Sequence, residues 1–218
     1  MEIQSPITGL KNTKLERNIN TQKIIEEYKK IKPYGIDVNR FFHNMNKISI
    51  YTCLDTGYRF FYPNNLAGDD LFYQELEKNS WYYMDWKWEH EKSMEFIHKG
   101  DNVLEIGCAH GAFLEKLKNK EAIVTGLEMN TKAIQICKNK KLNVIADSIE
   151  HFSQKNNLLF DVVCTYQVLE HIKDAKSFIE SSLSVLKPNG LFIIIVPNND
   201  SFILKNYENV LDMPPHHL

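Results

Sequence analysis

The stretch that most constrains this chain is residues 103–114, VLEIGCAHGAFL. Val103, Leu104 and Ile106 follow the turn signal Gly100, Asp101, Asn102, as a strand entering a sheet should. Gly107 and Gly111 then permit backbone geometry and close approaches that a side chain would block. Helical spacing resumes with Phe113, Leu114 and Leu117 beside Glu115, Lys116 and Lys118. A buried strand, a glycine turn and a helix N-terminus in succession predict an α/β fold with a cradle for a nucleotide-type cofactor.

Two cradles fit this spacing. The dinucleotide pattern G-x-G-x-x-G falls on Gly107, Ala109 and Ala112, a weak match. The pattern E-x-G-x-A-x-G places Glu105 inside the strand, where a pyrophosphate gains nothing from a carboxylate but an ammonium group does. The second pattern resembles the first motif of class I S-adenosylmethionine-dependent methyltransferases, with Ala109 at the usual middle glycine. Later segments agree in order. Residues 122–128 read as a second strand ending in Glu128, placed to accept ribose hydroxyls, with Met129 beside the adenine. A third strand over 142–148 ends at Asp147 and Ser148, where the resemblance puts the adenine amino group. A fourth strand covers 160–165, and its continuation from Tyr166 to Ile172 resembles the segment lining the methyl-transfer site. Residues 186–190 read as a helix stop before a fifth strand over 191–198.

The resemblance covers roughly residues 81–199. It implies a Rossmann-like sheet holding S-adenosylmethionine through Glu105, Gly107, Cys108, Ala109, Gly111, Glu128, Met129, Asp147, Ser148 and Tyr166. In that family the helix before the first strand lies over the cofactor and supplies an aromatic group near the methyl, here Tyr82, Tyr83 or Trp86. The family's last antiparallel strand pair finds no sequence after the fifth strand, so the chain is expected to be a fragment or to have a shortened sheet. A second copy, forming a homodimer, or the N-terminal segment is then expected to cover the apolar edge.

Residues 1–80 read as a small cap. An amphipathic helix is expected over 14–28, stopped before Pro33, and a short one from Asp37. A β-hairpin is expected from Ile48–Cys53 and Tyr58–Pro63, and a helix capped by Asp69 or Asp70 follows. Ser5 to Gly9 and Cys53 to Gly57 resemble zinc knuckles in which Ser5, Thr8 and Thr56 replace cysteines; no zinc is expected, because a structural site wants four strong donors. Residues 200–218 form a tail whose Pro214, Pro215, His216, His217 run resembles a segment near the acceptor pocket of sugar-modifying members.

The 218 residues are 43% apolar and 25% charged, with a formal charge of −2. That balance offers no footprint for nucleic acid. No apolar run reaches the ~20 residues of a membrane helix, and the first residues lack a secretion signal, so a cytoplasmic protein is expected. Cys53, Cys108, Cys137 and Cys164 form neither a disulfide framework nor a C-x-x-C site. A hydroxyl acceptor needs a base, and His171, His216 and His217 follow strand ends where such sheets place their chemistry. Glu170 with His171 is too small a set for magnesium, and no metal is expected. His43, His90, His98 and His151 are expected at the surface. The sequence therefore points to a methyltransferase acting on a small-molecule or sugar-linked acceptor, O-methylation being favoured, and the resemblance to polysaccharide-cluster members implies a place in surface-polysaccharide synthesis. The alternative is a non-catalytic protein that binds the donor or a partner through a truncated form of the fold.

Overall fold

The computed structural model describes residues 2–82, 84, 86–198, 201 and 209–218. They divide into two compact units. One comprises Tyr83–Leu169 and Ser177–Pro197; the other comprises Met1–Tyr82, Glu170–Lys176 and Asn198–Leu218.

The first of these holds five parallel strands: β4 (Asn102–Ile106), β5 (Ile123–Leu127), β6 (Val144–Ile145), β7 (Phe160–Tyr166) and β8 (Leu186–Ile195). Their order is β6-β5-β4-β7-β8. Helices α4 (Ala112–Asn119), α5 (Thr131–Asn139), α6 (Ile149–Lys155) and α7 (Ala175–Ser184) alternate with them. Strand β4 is central and buries Val103, Leu104, Glu105 and Ile106. Helix α4 turns Phe113, Leu114 and Leu117 inward, as its spacing predicts. Chain order runs from β4 outward to β5 on one side and later to β7 on the other. The carboxyl end of β4 is therefore the topological switch point, where sheets of this kind bind ligands.

The helix stop expected at residues 186–190 lies instead within β8. Phe160 pairs with Leu186 and Val162 with Leu191, so residues 187–190 stand opposite Asp161 alone and three extra residues bulge out of the ladder, with Asn189 at φ +64°. Pro and Asn-Gly accommodate a bulge as readily as a helix stop, because each signals a local break in regular pairing rather than its kind.

The second unit contains an antiparallel sheet, β1 (Thr13–Asn20), β2 (Lys47–Cys53) and β3 (Arg59–Tyr62), in the order β1-β2-β3. The expected hairpin is β2–β3, with Ile50 opposite Phe61. The helix expected over 14–28 is half strand: β1 occupies its first part and α1 (Thr21–Lys29) only its second. Asn20 makes the division, its side-chain oxygen capping α1 by accepting from Gln22 N and Lys23 N. Helix α1 buries Ile24, Ile25 and Tyr28 in one core with Phe72 and Leu76. Helix α2 (Asp70–Leu76) is capped by Asp69, which accepts from Phe72 N. No helix among the described residues is long and apolar enough to cross a membrane.

Candidate active site

The glycine turn takes the shape its residues require. Gly107 and Gly111 both sit at φ +74°, and a Cβ on Gly107 would lie 2.5 Å from Val168 Cγ2. On Gly111 a Cβ would lie 2.4 Å from Leu142 Cδ1. Ala109 is also left-handed, at φ +46°, a conformation that costs a residue with a Cβ about 1–2 kcal/mol. The amide it presents there donates to Glu128 Oε2 at 2.8 Å.

Glu128 follows the last residue of β5, and the geometry converges on it. Its Oε1 accepts from Met129 N and Asn130 N, each at 2.8 Å. With the Ala109 bond, three backbone amides fix one carboxylate at the switch point. A carboxylate offers roughly four acceptor sites, so one remains for a hydroxyl and a second would be shared. Met129 is 69% exposed, as a side chain available to a flat ligand must be. Asp147 lies after the end of β6, where its Oδ1 accepts from Ser148 N at 2.9 Å and meets His151 Nδ1 at 2.6 Å. Ser148 caps α6 through His151 N.

Glu105 contrasts with Glu128. It is fully enclosed within β4, and its Oε2 is shielded from solvent without a hydrogen-bond partner. Burial, reinforced by the charge of Glu128, pushes its pKa up to about 8, and Lys87 opposes the rise. A buried carboxyl in that state is prepared for a cation. Cys108 differs from the other turn residues: its side chain packs with Leu114, Cys137 and Leu142. Its backbone amide donates to Leu127 O.

Tyr166, at the carboxyl end of β7, packs edge-on to His90 and Phe113, with ring centroids 4.7 and 5.1 Å away. Trp86 completes this aromatic group, 5.3 Å from His90, with Lys116 Nζ 3.6 Å above its ring. His90 is therefore not at the surface. It is 7% exposed, and burial, aided by the charges of Lys87 and Lys116, lowers its pKa to about 4. Its position on the inward face of α3 (Trp88–Met94) was the available signal, one outweighed by the polarity of imidazole. Tyr83 lies outside the described residues, and Tyr82 packs in the other unit, 5.8 Å from His216.

That other unit gathers His171, His216 and His217 from positions 45 residues apart in sequence, with ring centroids 4.5–5.1 Å from one another. The Ser5 and Cys53 turns also meet there. Thr8 Oγ1 is 3.9 Å from Cys53 Sγ, and hydrogen bonds from Ser5 and Thr56 lower the thiol's pKa to about 7.

Residues 80–217 match the family described as Methyltransferase domain. The chain belongs to that family. Among its relatives, the ubiquinone biosynthesis O-methyltransferase of Yersinia enterocolitica is 32% identical over 123 residues, 52% of this chain and 51% of that one. The enzyme of the same name from Vibrio vulnificus is 33% identical over 97 residues, 42% of this chain and 41% of that one. The chain thus spans about half or less of the length of these curated relatives. A solved S-adenosylmethionine-dependent methyltransferase from Archaeoglobus fulgidus shares the fold at a TM-score of 0.55 and 22% identity. That likeness covers 68% of this chain and 66% of that one. For a methyltransferase domain, the switch point at β4 explains why Glu105, Gly107, Ala109 and Glu128 converge there: the sheet's reversal opens the crevice between β5 and β7.

Proposed function

We propose that this chain transfers a methyl group from S-adenosylmethionine to a hydroxyl of a small acceptor. The observation that carries the reading is the carboxylate pair at the glycine turn. Glu128, pinned by three amides, has acceptor capacity left for the donor's ribose. Glu105, buried and without a hydrogen bond at Oε2, offers a negative charge to its ammonium group. S-adenosylmethionine is the donor, and Asp147 with the Ser148 amide faces its adenine. Trp86 and Tyr166 wall the methyl side. The similarity to ubiquinone biosynthesis O-methyltransferases supports oxygen as the nucleophile. Methyl transfer is an in-line displacement that needs acceptor and methyl held at roughly 3–3.5 Å.

The narrower reading is a sugar-linked hydroxyl in surface-polysaccharide synthesis. Support comes from the Pro214–His217 run and from the Ser5 and Cys53 turns, where Thr8 Oγ1 lies 3.9 Å from Cys53 Sγ. Among the described residues β8 is an edge strand with Leu191 exposed on it, which supports pairing with a second copy. Four free, buried cysteines fit the reducing cytoplasm.

Calorimetric titration with S-adenosylmethionine and its demethylated product tests the donor reading. Micromolar binding that is lost in a folded Glu128→Ala variant is expected. Equal binding by the variant would remove the ribose assignment, and no binding by the folded wild type would remove the enzyme reading. Turnover assays comparing phenolic with sugar hydroxyls then separate the two acceptor classes.

A further inference from the structure

His171, His216 and His217 present their side chains in an arrangement that packing alone does not account for. One candidate ligand atom from each lies within 4.8 Å of the other two. His171 Nδ1 is 2.6 Å from the His216 carbonyl, and His216 Nδ1 is 2.8 Å from the Leu211 carbonyl. Carbonyls only accept, so both Nδ1 atoms carry the proton and both Nε2 atoms keep a lone pair. His216 Nε2 is shielded from solvent and has no hydrogen-bond partner. His217, 13% exposed at its side chain, has Nδ1 3.6 Å from Asp212 Oδ1.

We infer that His171, His216 and His217 form a binding site for a single first-row divalent cation, with zinc the best fit. Three imidazoles suit zinc and its neighbours rather than magnesium or calcium, which take oxygen ligands. Zinc–nitrogen bonds of about 2.0–2.1 Å put tetrahedral ligand nitrogens about 3.4 Å apart. The candidate ligand atoms, within 4.8 Å of one another, would close by at most about 1.4 Å to reach that separation. The backbone acceptors on the Nδ1 side are the outer partners that fix the tautomer and orientation of metal-ligating histidines.

A metal-ligating nitrogen must be unprotonated, and the carbonyls facing Nδ1 of His171 and His216 leave each Nε2 in that state. A carboxylate lies close by, Asp212 Oδ1 being 3.6 Å from His217 Nδ1. Three protein ligands would leave a fourth position open to water. The cation would also tie residues 216 and 217 to the turn at His171.

The inference stands on the histidine group and does not depend on the methyl donor, so the test omits the donor. Tag-free full-length protein is dialysed against zinc and analysed for metal, then titrated with cobalt(II) and followed by its visible absorption. One equivalent per chain is expected, with an intense four-coordinate cobalt spectrum. Binding should weaken at least tenfold in His216→Ala and His217→Gln and stay unchanged in His43→Ala, an exposed histidine of the same unit. The inference is overturned if folded wild type takes up no stoichiometric metal, or if metal stays bound in a folded His217→Gln variant. Should His216→Ala fail to fold, His217→Gln, which keeps most of the side-chain volume, decides the matter.

Discussion

The two sheets hold their strands by different means. In the parallel sheet, β4 is made by burial: all of Val103, Leu104, Glu105 and Ile106 are enclosed, and the apolar run is visible in the sequence. In the antiparallel sheet, β1 buries only Ile19. It persists because β2 completes its backbone hydrogen bonds from Thr13 to Asn20, across a bulge between Leu15 and Arg17. Its outward face is secured by Glu16, which pairs with Arg59 at 2.5 Å and accepts from Thr52. An apolar run thus reports burial, and only indirectly that a segment is a strand. A strand built on pairing with a distant partner leaves little trace in its own residues.

This difference can be broken by mutation. The largest effect is expected at the centre of β4, where Leu104→Ala removes a fully buried side chain. A loss of about 2–5 kcal/mol in urea unfolding is expected; a loss below about 1 kcal/mol would mean that burial does not hold β4 in place.

The second effect tests the carboxyl enclosed in that same strand. The folded pKa of Glu105 is raised to about 8, from about 4.5. Between those values the folded state binds the extra proton, so stability of the ligand-free protein falls as pH rises through this window. With about 1.4 kcal/mol per pKa unit, the fall is of the order of 3 kcal/mol. Glu105→Gln should flatten the dependence, and unfolding midpoints measured at pH 5 and pH 8 decide it. A wild-type profile that rises over that range would contradict the buried, protonated state.

The smallest effect belongs to β1. Glu16 and Arg59 are 30% and 35% exposed at their side chains, and pairs of that kind contribute about 0–1 kcal/mol. Glu16→Ala should therefore change stability by less than about 1 kcal/mol. A cost above 2 kcal/mol would show that β1 depends on its surface charges rather than on its ladder with β2.

What the sequence determined by itself was the parallel sheet and the glycine turn after its central strand. Gly107 and Gly111 could be read because left-handed backbone and close packing exclude nearly every other residue at those points. Glu128 could be read because a carboxylate after an apolar strand stands at a strand's carboxyl end. Three features were decided only by the tertiary structure. Strand β1 exists through a partner more than 25 residues away. His90 became a core residue because Phe113 and Tyr166 enclose it, and burial removes the charge that its type suggests. His171 met His216 and His217 across 45 residues. No spacing along the chain encodes that meeting, because what brings the three rings together is the packing of α1 and α2 around Tyr28 and Phe72, with Met213 in the same core.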